Sequence, residues 1–239
     1  MFLASQTDDE SITAQRALIE RFEAHIKDKT FPCVGAKSAL ARGQMQILVA
    51  GDLRCPRDDQ PIYAALRDFA KAFSQTPDPF QTFAVLFPTR DTLSEPEFER
   101  ALWDRIQHLE ALDAAAGEAY DQRVSPDPDH NAFSLSFGGE AFFVVGLHPG
   151  ASRLARRFKT PVLVFNAHAQ FEALRAEGRY ETLRKSIIER DTALQGSPNP
   201  MLARHGETSE ASQYSGRRVP DGWTCPFAPV HPEANRASA

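Results

Sequence analysis

Hydrophobic positions recur at helical spacing in some stretches of the chain and as short unbroken runs in others. Leu18, Phe22, His25 and Ile26 share one face of a helix expected over 11–27. Ile62, Leu66, Phe69, Ala70 and Phe73 do the same over 62–73. Ser94-Glu95-Pro96-Glu97 reads as a capping box, with Pro early in the helix where its missing N–H costs nothing. The helix it opens carries Phe98, Leu102, Ile106, Leu109 and Leu112 inward. Two further helices are expected at about 168–177 and 180–194, with Gly178 as the stop between them.

The unbroken runs read as buried strands at 45–51, 82–87, 132–137, 140–147 and 160–166. Pro88 ends the second, and Gly138-Gly139 joins the third and fourth as a hairpin. The pattern predicts an α+β fold in one domain spanning 1–239: a mixed central sheet of about five strands with flanking helices. Residues 121–131, marked by Asp121, Pro126, Asp127, Pro128 and Asp129, form an internal polar loop, because neither flank has a separate core. Periodicity ends after Leu194. The remainder is rich in Gly, Pro, Ser and Asn yet keeps Met201, Tyr214, Trp223 and Phe227, which disorder tends to exclude. A long ordered C-terminal loop is therefore expected over 195–229, with loose tails at 1–10 and 230–239.

Composition narrows the class. A hydrophobic share of 42% with 17 Phe supplies a substantial core for 239 residues. The net charge of -5, spread over mixed signs, gives no reason to expect nucleic-acid or membrane binding. No apolar run reaches bilayer length, and the first residues lack the basic and apolar regions of a signal peptide. Cys33, Cys55 and Cys225 are too few for a disulfide framework and none are at CxxC spacing. A cytoplasmic location is expected, and a homodimer is left open.

Candidate chemistry is densest from Phe142 to Phe158. A strand ending at Leu147 runs into His148-Pro149-Gly150, and a short helix is expected near Ser152. On that helix Arg153, Arg156 and Arg157 would share a face, with Leu154 and Phe158 opposite. One imidazole beside a guanidinium cluster suits a heme site, with His on iron and Arg on the propionates. It also suits an anion site with His as acid or base. Residue types alone favour a plain structural His and a solvated Arg face.

Other segments add candidates. Asn166, His168 and Gln170 could face a cavity, or Asn166 could cap the helix. Cys225 supplies a thiol, although a buried apolar Cys is the commoner outcome. Phe31 to Ser38 contains Gly and Lys-Ser without P-loop spacing. Arg204-His205-Gly206-Glu207-Thr208 matches the histidine phosphatase motif, but prolines at 198 and 200 precede it where that family has a strand.

Several blocks in one order resemble the YqcI/YcgG family. They are Phe31-Pro32-Cys33-Val34-Gly35-Ala36-Lys37, Gly146-Leu147-His148-Pro149 with Ser152-Arg153 and Arg156-Arg157-Phe158, and Phe165-Asn166-Ala167-His168-Ala169-Gln170-Phe171-Glu172. Arg190-Asp191, Gln195-Gly196-Ser197, Asn199-Pro200-Met201-Leu202, Gln213-Tyr214-Ser215-Gly216-Arg217 and Trp223-Thr224-Cys225-Pro226-Phe227 continue it. The resemblance covers residues 30 to 229 and extends to the N-hydroxylases of guanitoxin biosynthesis. It implies heme b, molecular oxygen, an external electron donor and a guanidine or amine substrate derived from an amino acid.

Local chemistry then ranks the residues. His148 is the first choice for the iron ligand, with Arg153, Arg156 and Arg157 on the propionates. His168 is second, or a distal residue that hydrogen-bonds bound oxygen, and Cys225 is third. Asn199, Glu207, Glu210 and Tyr214 are candidates for the substrate, because carboxylates and amides match guanidinium and ammonium donors. The competing readings are a heme-binding or sensing protein without turnover, and a cofactor-free enzyme acting on an anion at the Arg153/Arg156/Arg157 face.

Overall fold

The computed structural model describes residues 3–89, 91–203 and 206–231. Its elements in chain order are α1 (Leu3–Lys27), α2 (Val34–Ala41), β1 (Met45–Val49), α3 (Asp59–Gln75), β2 (Thr82–Leu86) and α4 (Glu95–Ala115). They continue with β3 (Leu135–Phe137), β4 (Glu140–Leu147), β5 (Val162–Ala167), α5 (His168–Ala176), α6 (Tyr180–Gln195) and α7 (Ala211–Tyr214). The expected capping box forms at Ser94, whose backbone N–H donates to Glu97 at 2.8 Å. Gly138 and Gly139, at φ of 59° and 84°, make the tight turn between β3 and β4. Helix α1 begins at Leu3, well before the expected start at 11.

The five strands form one mixed sheet in the order β1-β2-β5-β4-β3. Only β1 and β2 run parallel, with α3 as their crossover; the other neighbours are antiparallel. This is the α+β single domain that the periodicity predicts.

Strand alternation gives the sheet two unlike faces. Phe83 and Val85 of β2, Leu163 and Phe165 of β5, and Phe142 and Val144 of β4 point to α3 and α4. There they meet Leu66, Phe69, Leu102, Trp103 and Ile106 in the larger core. On the other face Ala84, Leu86, Val162 and Leu147 meet Leu18, Phe22 and Ile26 of α1. Helices α2, α5 and α6 extend this second face around Ala39, Phe80 and Leu174.

The C-terminal segment is packed as expected. Tyr214, Cys225 and Phe227 join the larger core, with Trp103 stacked 5.7 Å from Tyr214. The order reaches past the expected end at 229: the N–H groups of Val230 and His231 donate to Glu110 at 3.0 and 2.9 Å. Arg204, His205 and residues 232–239 lie outside the described residues, as do Met1 and Phe2.

Candidate functional site

A cavity of about 340 Å³ opens on the second face, between the sheet and α1, α2, α5 and α6. That volume sits at the small end of ligand pockets, which run from roughly 300 to 1,000 Å³. Its floor is the row Met45, Thr82, Asn166 and Phe143 across four strands, with Val164, Val145 and Leu147 behind. Phe22 and Ile26, Ala36 and Ala39, Phe171 and Leu174, and Leu183 and Ile187 supply apolar walls from the four helices.

His168 lines this cavity. It is the first residue of α5, directly after β5, so the strand end and the helix together fix its position. Its Nε2 lies 2.9 Å from Oε2 of Glu210, and both side chains are buried. The Tyr214 hydroxyl sits 3.3 Å from the same oxygen, and burial raises its pKa well above the ordinary value. A phenol that stays protonated donates to Glu210.

Asn166 and Gln170 also line the cavity. Asn166 does not cap α5, whose N-cap is Ala167; its Oδ1 lies 3.0 Å from the Thr82 hydroxyl. Gln170 is committed to the backbone, accepting from Phe80 N–H at 3.0 Å and donating to the Gln81 carbonyl at 3.2 Å. Those bonds hold Phe80 at φ 76°, a left-handed conformation that a bulky side chain seldom adopts.

His148, the first choice for an iron ligand, is not among the residues that line the cavity. Phe142, Val144 and Gly146 alternate onto the α4 face, and His148 continues that series beyond the strand end. Its ring stacks on Phe98 of α4 at 4.3 Å and is only 1% exposed. Desolvation lowers its pKa to about 4, which keeps it neutral. This is the packing of a core imidazole.

The expected helical Arg face does not form either. Leu154–Arg156 is a single 3₁₀ turn, too short to align residues at i, i+3 and i+4, and the three guanidiniums diverge. Arg153 pairs with Asp191 of α6 and donates to the Ser197 carbonyl at 2.8 Å. Arg156 donates to the carbonyls of Gly146, Gln213 and Tyr214 at 3.1, 3.2 and 3.4 Å. Arg157 donates through Nε to the Ala151 carbonyl at 2.6 Å and borders a separate open groove with Arg21, His25 and Lys159. Arg153 and Arg156 still line the main cavity, whereas Arg157 does not.

Of the expected substrate residues, Asn199 and Glu210 line the cavity. Tyr214 lies behind Glu210, and Glu207 is exposed away from it. Cys225 is set in the larger core, on the other face, with its thiol pushed up to about 12 by burial. The thiol that does line the cavity is Cys33, the N-cap of α2, whose Sγ accepts the Ala36 N–H at 3.4 Å. Cys33 and Asp191 were missed as site residues. Both fall in blocks that resemble the family, but a lone Cys before a short helix and one Asp among many polar helix positions carry no local sign of a site.

The fold is thus a single α+β domain with a partly polar cavity on one sheet face. The YqcI/YcgG family model matches residues 22–228, and the chain belongs to that family. It is 26% identical to the uncharacterized protein YcgG of Bacillus subtilis (strain 168) over 194 residues, covering 77% of this chain and 75% of that one. Identity to the uncharacterized protein YqcI of the same organism is also 26%, over 190 residues, 76% of this chain and 72% of that one. No solved structure matches significantly. Among the described residues no helix is long and apolar enough to cross a membrane.

Proposed function

We propose that this cavity holds heme b and that the protein is a heme-dependent N-oxygenase. In this reading it hydroxylates a guanidine or amine nitrogen with molecular oxygen and electrons from an external donor. The observation that carries the reading is the buried His168–Glu210 pair on the wall of the cavity. Histidines that bind metals have their second ring nitrogen held by a carboxylate, which fixes the ring and raises its basicity. His168 would hold the iron through its imidazole, with Glu210 fixing the orientation of the ring.

The chemistry of the lining residues suits the group, and the cavity of about 340 Å³ would have to widen to admit it. Aromatic and aliphatic walls suit the face of a porphyrin, and two half-buried cations, Arg175 and Arg184, line the same cavity from α5 and α6. They replace the Arg153, Arg156 and Arg157 face as partners for propionates, since that face does not form. When bound, heme supplies the binding and activation of oxygen. The chain's own part is to orient the imidazole through Glu210 and Tyr214, to keep water out, and to hold the substrate nitrogen.

Absorption spectroscopy after heme addition tests this reading. The expected result is a Soret band for the wild type that His168→Ala loses while His148→Gln keeps it. The ferrous–CO band position distinguishes an imidazole from a thiolate, and Cys33→Ala should leave it unmoved. A wild-type protein that stays colourless at saturating heme sinks the proposal. A Soret band without oxygen consumption, given amines or guanidines and a reductant, reduces the protein to a heme binder.

A further inference from the structure

One end of the cavity carries polar groups that neither the imidazole nor the fold uses up. Asp191 on α6 lines it and is 6% exposed. Its Oδ2 takes both bonds from Arg153, through Nε and one terminal nitrogen. Its Oδ1 is buried and has no hydrogen-bond partner among the described residues. A buried carboxylate oxygen left without a donor is costly, and in a ligand pocket it marks where a ligand's donor goes.

Arg156 lines the same cavity. Three backbone carbonyls take three of its five donors, so the guanidinium is held rigidly with donors to spare. Asp191 and Arg153 both act on it electrostatically. Arg153 pairs with Asp191, and desolvation pushes the Arg156 guanidinium down to about 10. This end of the cavity therefore offers guanidinium donors still without an acceptor and one carboxylate oxygen without a donor. A ligand that supplies both a carboxylate and an N–H cation, close together, satisfies the two deficits at once.

We propose that the Arg153–Asp191–Arg156 end of the cavity receives the zwitterionic head of a free α-amino acid, with its ammonium on Oδ1 of Asp191 and its carboxylate on Arg156. The inference rests on reading this cavity as the substrate site, and it narrows the substrate class to amino acids with both head groups unmodified. Arg153 is then a positioning residue: its two bonds to Oδ2 fix the plane of the Asp191 carboxylate and turn Oδ1 toward the ligand. The side chain of the amino acid extends along the apolar walls toward His168, which puts a side-chain nitrogen at the reactive end. Glu210, expected to bind the substrate, is instead occupied with His168.

Isothermal titration of the heme-free and heme-loaded protein with the common amino acids tests this. For arginine and lysine the analogues are agmatine and cadaverine, which lack the carboxylate, and the desamino acids, which lack the ammonium. The best-binding amino acid should bind about 10- to 100-fold more tightly than either of its analogues, the loss expected for one charge-assisted hydrogen bond. Asp191→Asn should bring the amino acid down to the level of its desamino analogue and leave that analogue unchanged. Equal binding of an amino acid and its decarboxylated analogue overturns the proposal, as does an unaltered Asp191→Asn variant or the absence of binding by every amino acid tested. The analogue series on the wild type stands even where the variant fails to fold. Amino-acid discrimination without a Soret band would sink the oxygenase reading and keep this subsite; a Soret band without discrimination would do the reverse.

Discussion

The two faces of the central sheet use the same strands for opposite ends. Toward α3 and α4, alternate residues of β2, β4 and β5 are fully buried aromatic and branched side chains, and rings from Phe69, Phe137, Phe142 and Phe165 contact one another at about 6 Å. Toward α1, α2, α5 and α6 the intervening residues include Thr82 and Asn166, and a void of about 340 Å³ remains. Close packing is the rule in protein interiors, and a gap lined by polar groups and a buried His–Glu pair departs from it. One face holds the fold together, and the other keeps room for a ligand.

The contrast is sharpest at two neighbours on β4. Phe142 is fully buried on the filled face, whereas Phe143 is half-buried and borders the cavity. Phe142→Ala should lose about 3–5 kcal/mol in urea unfolding. Phe143→Ala should cost less than half of that and change ligand affinity instead. Equal losses from the two variants would erase the distinction.

The next effect is a pH dependence. His148 sits neutral against Phe98, with a folded-state pKa of about 4 against 6.5 in the unfolded chain. The unfolded chain binds the extra proton and the native one does not, so stability is full above pH 6.5 and falls as pH drops toward 4. The shift corresponds to about 3 kcal/mol over that window. His148→Gln should flatten the curve of unfolding free energy between those pH values relative to wild type. A variant that keeps the full slope would show that other groups carry it.

A smaller effect tests how tightly α4 seats on β4. A Cβ added at Gly146 would lie 2.7 Å from Cε1 of Phe98 and 3.0 Å from the Tyr214 carbonyl. Gly146→Ala should therefore cost about 1–3 kcal/mol by overpacking, read as a drop in the thermal midpoint. Unchanged stability would mean that α4 and the C-terminal segment move aside more easily than the filled face implies.

Much of this was legible in the residues. The strand and helix rhythms, the Ser94 capping box and the glycine hairpin are local signals, and the five strands and the helices after them appear close to their expected places, while α1 starts earlier and the helix near Ser152 does not form. The parity of β4 was legible too: Phe142, Val144, Gly146 and His148 belong to one face, so His148 goes where Phe142 goes. The same count puts Val164 and Asn166 on the other face, with His168 following from the strand end. The Arg153, Arg156 and Arg157 face failed because Pro149-Gly150 and the following residues support only one 3₁₀ turn, and spacing has meaning only once a helix exists.

Fold class, element order and the sidedness of each strand were thus determined by the sequence itself, because hydrogen-bonding rhythm and turn chemistry act over a few residues. The site was decided by the tertiary structure. His168 meets Glu210 from 42 residues away, and Arg153 meets Asp191 from 38. No local pattern encodes such pairings, since only the docking of α6 and the C-terminal segment onto the sheet brings them together. The cavity has the same origin: it is the space left where α1, α2, α5 and α6 close over a sheet face whose floor is partly polar.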